Sequence, residues 1–318
     1  MTELSSFDAA GLQGLRFSGH ETFACRYAWL PKAYRALNAN PRAFSDEDQA
    51  MVELGIGKNM VRSLRFWVEA MGVAKFDRKT RNLDLTDFGD EVFGAIGFDP
   101  YLEDPRTLWL LHWNLASRRE GALFAWRFMI GHWPYPEFTR SQALAEFRRL
   151  SDRDGLEHSE VTLAQHLDVF LHTYQSTRGG AAAVEDSLDG PLVELDLFTP
   201  IGERRGESGR WETVFGFRRE PKPDIGQALF DYCVHAFWRD EAPQDQTLSF
   251  RSVAVAAGSP GQVFKLSEDD LRERLEAPQM GATPRGFTYQ ASAIQGQLIR
   301  NGEGPTLAQV YAEEPQDV

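Results

Sequence analysis

VELGIGKNMVRSLRFWVEAMGVAKFDRKTRNLDLTDFG, residues Val52 to Gly89, is the stretch on which the fold turns. Gly55 and Gly57 interrupt the chain after Leu54, and Lys58 to Met71 then sets Val61, Leu64, Val68 and Met71 at spacings of three, four and three. That spacing is one apolar stripe of an α-helix, facing a core. Gly72 stops the helix, VAKFDRKTRNLDLT reads as two short strands around a basic turn, and LTDFGDEVF resumes a helix. Upstream, Ser45 serves as a capping residue, and Asp46, Glu47 and Asp48 follow it at the positive end of a further helix. Helix, glycine turn, helix and hairpin form the order of a winged helix-turn-helix. The fold class expected is mainly α with small β wings, as winged helix-turn-helix domains around a helical core.

Charge gives this stretch a use. Between Lys58 and Arg81 seven basic residues (Lys58, Arg62, Arg65, Lys75, Arg78, Lys79 and Arg81) face two acidic ones, Glu69 and Asp77, in a chain whose net charge is −13. At about 100° per residue, Lys58, Arg62 and Arg65 share a helix face about 110° from the apolar stripe, with Asn59 and Phe66 beside them. A recognition helix presents such a face, and the basic turn would be its wing. The order of glycine turn, basic helix and basic hairpin favours a nucleic-acid contact over a solvated basic surface. The GIGK string is not a phosphate loop: Val52 stands where its first glycine belongs, and Asn59 where Ser or Thr should follow Lys58.

Composition bounds the rest. A chain of 318 residues, 42% hydrophobic and 12% aromatic, can bury two or three cores. Its acidic total argues against a nonspecific nucleic-acid coat and for a focused patch. No apolar run approaches the ~18 residues of a membrane span, and MTELSSFDAA lacks a signal-peptide layout, so a cytoplasmic location is expected. Cys25 and Cys233 lie far apart and read as reduced thiols. The seven histidines show neither HxxxH nor HExxH spacing, so no histidine-based metal site is expected.

Ahead of the winged segment stands RFSGHETFACRYAWLPKAYRAL, residues 16–37. His20 and Glu21 adjoin in a polar turn, and Arg26 follows among Phe23, Tyr27, Trp29 and Tyr34. Two readings stay open. In one, His20 and Glu21 ligate or deprotonate while Arg26 stabilises a pentacoordinate phosphate. In the other, Ser18 or Glu21 caps a helix beginning near Thr22, and the aromatics are core.

Three domains are expected, at 1–100, 101–215 and 216–318. In the middle one, Asp104-Pro105 opens the helix RTLWLLHWNLASR, and GALFAWRFMIGHW continues the apolar core until Pro134. SQALAEFRRL and TLAQHLDVFLHTY read either as a second helix-turn-helix or as two core helices; the helical spacing of Leu163, Leu167, Phe170, Leu171 and Tyr174 in the second leaves Gln165, His166, Asp168 and His172 outside. Asp186, Asp189 and Glu194 could gather round a divalent ion, although acid-rich loops are ordinarily solvated. The last domain carries IGQALFDYCVHAFWRD, then helix, GSPG turn and helix with Ser267 as a cap, then FTYQASAIQGQLIR as a closing hairpin. Its acidic helix suits protein packing better than DNA.

FSGHETFACRYAWLPKAY, VELGIGKNMVRSLRFWVEAMGV, DPRTLWLLHWNL, EDSLDGPLVEL and AGSPGQVFKL together resemble a bacterial family of domain-of-unknown-function proteins found with DNA phosphorothioation and phage-defence genes. The resemblance runs from about Arg16 to Arg300, and FSGHETF and GKNMVR are its specific strings. The best understood branch is the B subunit of Ssp-type systems. That resemblance implies a DNA-binding protein with nicking activity, working beside a cysteine desulfurase, a sulfur-activating ATP-dependent enzyme and a further ATPase. Its pattern falls on Ser18, Gly19, His20, Glu21 and Arg26, and on Gly57, Lys58, Asn59 and Arg62. Pro31 departs from a segment usually richer in lysine. Gly190 stands where cysteine is associated with the family, so no thiol role is expected in the acidic loop.

The expected function is thus a DNA nickase subunit dependent on Mg²⁺ or Mn²⁺. Glu21 would be the metal ligand, His20 the base or a ligand, Arg26 the phosphate stabiliser, and Lys58, Asn59, Arg62, Arg65, Lys75, Arg78, Lys79 and Arg81 the DNA-binding residues. The alternatives are a noncatalytic winged-helix adaptor or transcription regulator, and a scaffold that binds no DNA. A homodimer is one expected assembly.

Overall fold

The computed structural model describes residues 14–155, 158–176, 190–206, 209–279, 283–292 and 296–313. The described residues are mainly α-helical with three small antiparallel sheets, which recur at intervals along the chain. In the first third, α1 (Trp29–Ala39), α2 (Glu47–Leu54) and α3 (Lys58–Ala70) precede the hairpin of β1 (Ala74–Phe76) and β2 (Leu83–Leu85), and α4 (Asp87–Phe93) follows. Leu83 N–H donates to Pro41 O in the α1–α2 connection, which ties that connection to the hairpin edge.

The local chemistry explains these boundaries. Asp46, rather than Ser45, caps α2, its carboxylate accepting from Asp48 and Gln49 N–H. Gly55 ends α2 at φ 65°, a left-handed conformation that a residue with Cβ adopts at a cost. α3 then buries Val61, Leu64, Val68 and, just beyond its end, Met71, as the spacing requires. No helix starts near Thr22: residues 18–28 are turns and extended chain, and α1 begins at Trp29.

The middle third starts with α5 (Pro105–Ala116), where Asp104 accepts from Arg106 N–H and Pro105 fills a position whose N–H has no helical acceptor. It continues through α6 (Phe124–Gly131), β3 (Glu137–Thr139), α7 (Arg140–Arg153), α8 (Glu160–Tyr174), a 3₁₀ turn at Pro191–Leu195, β4 (Phe198–Arg205) and β5 (Trp211–Phe217). The sheet order is β3-β5-β4. The last third holds α9 (Gln227–Glu241), β6 (Thr247–Ser249), α10 (Phe250–Val255), α11 (Pro260–Val263), α12 (Glu268–Glu276), β7 (Phe287–Gln290), β8 (Gln297–Arg300) and α13 (Leu307–Ala312). Its sheet order is β6-β8-β7. Both later thirds therefore repeat one plan: helix, strand, helices, then a hairpin whose second strand pairs with the first strand.

α7 and α8 are core helices. Leu163, Leu167, Phe170, Leu171 and Tyr174 are all buried. His166, expected outside, is also buried, because residues of α8 meet α6 and the N-terminal segment as well as α7. α11 ends before Phe264–Leu266, where Lys265 takes φ 52°, and Ser267 caps α12, as expected, by accepting from Asp270 N–H. One apolar cluster runs through all three thirds. No helix among the described residues is long and apolar enough to cross a membrane.

Candidate nucleic-acid interface

The basic residues of the first third do face outward. Lys58, Asn59, Arg62, Arg65, Lys75, Arg78, Lys79 and Arg81 are all exposed, while Phe66, expected beside them, is buried. Two of the helix cations are already engaged. Glu47 at the start of α2 accepts from Arg62 Nε at 2.7 Å and Nη2 at 3.0 Å, and lies 3.1 Å from Lys58 Nζ. The hydrogen bonds from Arg62 and Lys58 hold the Glu47 carboxyl down at about 2. Arg65 instead lies over the Phe76 ring of β1, 5.0 Å from its centroid, so hairpin and helix present one surface.

The hairpin turn is organised by Asp77. Its carboxylate accepts from Lys79 N–H at 2.8 Å and Thr80 Oγ1 at 2.9 Å, bonds that keep its pKa below the ordinary aspartate value. Arg81 adopts φ 60° at the same turn. Arg78, Lys79 and Arg81 are therefore carried on a turn fixed at its base.

Against α3 packs the FSGHETF segment, and here sequence adjacency misleads. Gly19 at φ 110° and Glu21 at φ 56° turn the chain so that neighbouring side chains point to different places. His20 goes inward, where its Nε2 lies 2.9 Å from His166 Nδ1 and its Nδ1 lies 3.2 Å from Glu21 O. His166 Nε2 accepts from Ala125 N–H at 3.0 Å. That acceptor role fixes the relay: His166 Nδ1–H donates to His20 Nε2, and His20 Nδ1–H donates to Glu21 O. Both rings are neutral in this arrangement. Burial, the largest cause, lowers the His20 pKa to about 4, and burial likewise carries His166 well below the ordinary histidine value. With both nitrogens committed, His20 holds the turn in place; as general base or metal ligand it would have to break this relay.

Glu21 goes the other way. It lines a recess of about 330 Å³ with Arg16, Glu47, Arg62, Arg65 and Glu69, over Phe66. Its charge helps keep Arg62 protonated, after the larger contribution of Glu47. Arg16 stacks over Phe66 at 4.6 Å and lies 3.8 Å from Glu69. Arg26 packs beside the Phe23 and Trp29 rings, at 6.0 and 5.7 Å, and does not line this recess. The expected catalytic trio is therefore not gathered in one space: Glu21 reaches the recess, His20 supports it from behind, and Arg26 lies elsewhere.

None of Arg16, Glu47, Glu69 and His166 was placed in the site from sequence. Arg16 had a signal, since it directly precedes FSGHETF. Glu47 was readable only as a helix-start acid, and the His166 contact spans 146 positions of chain. Among the described residues no three His, Cys, Asp or Glu side chains form a metal-holding group. Of the acidic-loop residues, Asp186 and Asp189 lie outside the described residues; Glu194 accepts a hydrogen bond from the Tyr27 hydroxyl.

Comparison with known proteins gives the following. Residues 17–312 match a protein family described as a protein of unknown function, DUF4007. The fold is similar to the magnesium ion-bound SspB crystal structure, at 27% sequence identity and a TM-score of 0.78. It is similar also to a second SspB crystal structure, at 26% identity and a TM-score of 0.74. Each match covers 94% of this chain and 88% of the SspB chain. No curated protein matches the sequence.

Proposed function

The chain belongs to the DUF4007 family, and from that premise we propose that it is the DNA-binding subunit of a bacterial phosphorothioation and phage-defence system. The observation that carries this reading is the single exposed surface made by Lys58, Asn59, Arg62 and Arg65 of α3 with Lys75, Arg78, Lys79 and Arg81 of the hairpin. Read as a winged helix, α3 enters the major groove and the β1–β2 turn meets the flanking backbone. Phosphate oxygens exchange places with the Glu47 carboxylate at Lys58 and Arg62. The similarity to SspB supports the pathway assignment, with a cysteine desulfurase, a sulfur-activating ATP-dependent enzyme and an ATPase as partner proteins.

A second reading, DNA nicking, is favoured by Glu21. Its carboxylate stands on a left-handed backbone beside Arg62 and Arg65, where a backbone phosphate held by those arginines would lie. Mg²⁺ or Mn²⁺ would take Glu21 as its protein ligand, with water and phosphate oxygens in the other positions, and would supply charge to the pentacoordinate phosphate. Of the three carboxylates that line the recess, Glu47 is tied to Lys58 and Arg62 and Glu69 lies 3.8 Å from Arg16, so Glu21 is the one offered to a cation that arrives with its phosphate. In this reading His20 positions Glu21 through the relay to His166, and Arg26 steadies the turn from its aromatic seat.

The test is supercoiled plasmid incubated with the purified protein, with and without Mg²⁺ or Mn²⁺. Metal-dependent relaxation that Glu21→Gln abolishes, with DNA binding kept, supports nicking. Binding without relaxation supports the noncatalytic adaptor. Absence of binding at low salt overturns both.

A further inference from the structure

Seven of the eight tryptophans are buried, and Trp211 alone is exposed, at 69%. It opens β5 and stands directly across the ladder from Arg205 at the end of β4, while Arg204 faces Glu212 on the next rung. Side chains alternate along a strand, so Trp211 and Arg205 share one face of the hairpin and Arg204, Glu212 and the buried Val214 share the other. Arg204 is tied to Glu137 of β3, and Glu212 accepts from Ser141 N–H at the start of α7. Those charges fix the hairpin to its support. On the Trp211 face, which carries Phe215 and the buried Phe217 at the base of the hairpin, the far end is exposed: Arg205 is steadied there by donating Nε–H to Gly209 O at 3.0 Å, and Arg210 precedes the indole in the chain, exposed like it.

This hairpin occupies the same place in the middle third as the basic hairpin β1–β2 does in the first. The helix before it has changed, however. α8 carries neither lysine nor arginine and turns Leu163, Leu167, Phe170 and Tyr174 into the core, so it offers no recognition face. What the middle third retains of a winged surface is the hairpin itself. An exposed indole paired with Arg205 across the ladder, with Arg210 next to it in the chain, offers a nucleotide a flat ring for its base and cations for its phosphates. A protein partner would need a broad apolar patch, whereas Ile201, at the foot of the hairpin against Gly216, is the exposed large hydrophobic residue that accompanies Trp211 on β4–β5.

We propose that the β4–β5 hairpin is a second nucleic-acid contact, in which Trp211 stacks on an unpaired base of a DNA strand and Arg205 and Arg210 take the phosphates beside it. This rests on the DNA-binding reading of the first third and adds a preference for unpaired strand. A base in an intact duplex is already stacked on its neighbours, so Trp211 gains it only at a gap, a nick or a single strand.

The test uses the full chain with a labelled intact duplex, a labelled gapped duplex and a labelled single strand, followed by fluorescence anisotropy. Trp211→Ala is expected to weaken binding to the single strand and the gapped duplex by about 5- to 150-fold, the range for losing one base–aromatic stack. It should leave intact-duplex affinity unchanged. Trp211→Phe should recover most of the loss, and Arg205→Ala/Arg210→Ala should weaken the same two ligands. Equal binding of wild type and Trp211→Ala to the single strand overturns the inference, as does an equal loss on all three DNAs. A hairpin variant that binds every DNA normally but loses a partner protein would reassign the surface to protein. If wild type holds the intact duplex and only the Trp211 result fails, the first reading stands; if wild type holds none of the three, both fail.

Discussion

Glu47→Gln should tighten DNA binding, because Glu47 occupies two of the cations that DNA would use. Its carboxylate lies 2.7 Å from Arg62 Nε and 3.1 Å from Lys58 Nζ, leaving Arg65 as the third basic residue on α3. A phosphate approaching Lys58 or Arg62 must displace this carboxylate; a glutamine of the same shape offers no charge to displace. Each additional phosphate neutralised steepens the dependence of log affinity on log salt by about 0.9, so release of one or both cations steepens it by about 1 to 2. Between 50 and 200 mM salt, a fourfold change, the advantage of the variant should shrink by about 3- to 12-fold. The assay is anisotropy of a labelled duplex titrated across that range, with thermal melting as a control. Asp46 remains as the cap of α2, so the melting point should hold. Equal or weaker affinity with an unchanged salt slope would refute the reasoning and remove Lys58 and Arg62 from the DNA contact.

Three further outcomes follow from the N-terminal turn and its support. His166→Leu keeps volume but leaves His20 Nε2 and Ala125 N–H without their buried partner, which should cost about 2–5 kcal/mol of stability in urea unfolding; a loss below about 0.5 kcal/mol would contradict the relay. Gly19→Ala places a Cβ 2.8 Å from Phe66 at φ 110° and should lower stability by about 1–3 kcal/mol while disturbing Glu21, read as loss of any metal-dependent nicking; normal stability would contradict the packing. His20, His112 and His132 each sit at about 4 through burial, against about 6.5 unfolded. Between those values the unfolded chain binds protons that the folded chain does not, so stability is independent of these groups above pH 6.5 and falls as pH drops toward 4. The loss is about 3 kcal/mol per histidine by pH 4. Melting temperatures that stay flat from pH 7 to pH 4.5 would contradict it.

What the sequence carried was local. The spacing of Val61, Leu64, Val68 and Met71 placed α3 and its buried face, and Asp104-Pro105 placed the start of α5, because helical period and capping depend on residues a turn apart. The outward face of the basic residues followed from the same period. Phe66 did not: it lies near the basic side of the helix, yet Gly19 and Arg16 cover it from a segment more than forty residues earlier. The same holds for His20, whose adjacency to Glu21 suggested a shared catalytic space until two left-handed residues sent the side chains apart. In the last third the order of helices and closing hairpin was readable. In the middle third the pairing of β3 was hidden, since that strand has only three residues and its partner β5 lies far along the chain. Pairing of that kind is set by tertiary packing and leaves little pattern in a short window.

The central claim, that α3 and the β1–β2 hairpin grip DNA, is tested most directly by the salt-dependent affinity of the full chain for duplex DNA beside Arg62→Glu/Arg65→Glu. The account predicts wild-type binding that weakens steeply with salt, and a double variant that keeps its melting temperature but loses at least tenfold in affinity together with about 2 in log–log slope. A double variant that binds with wild-type affinity and slope would contradict it.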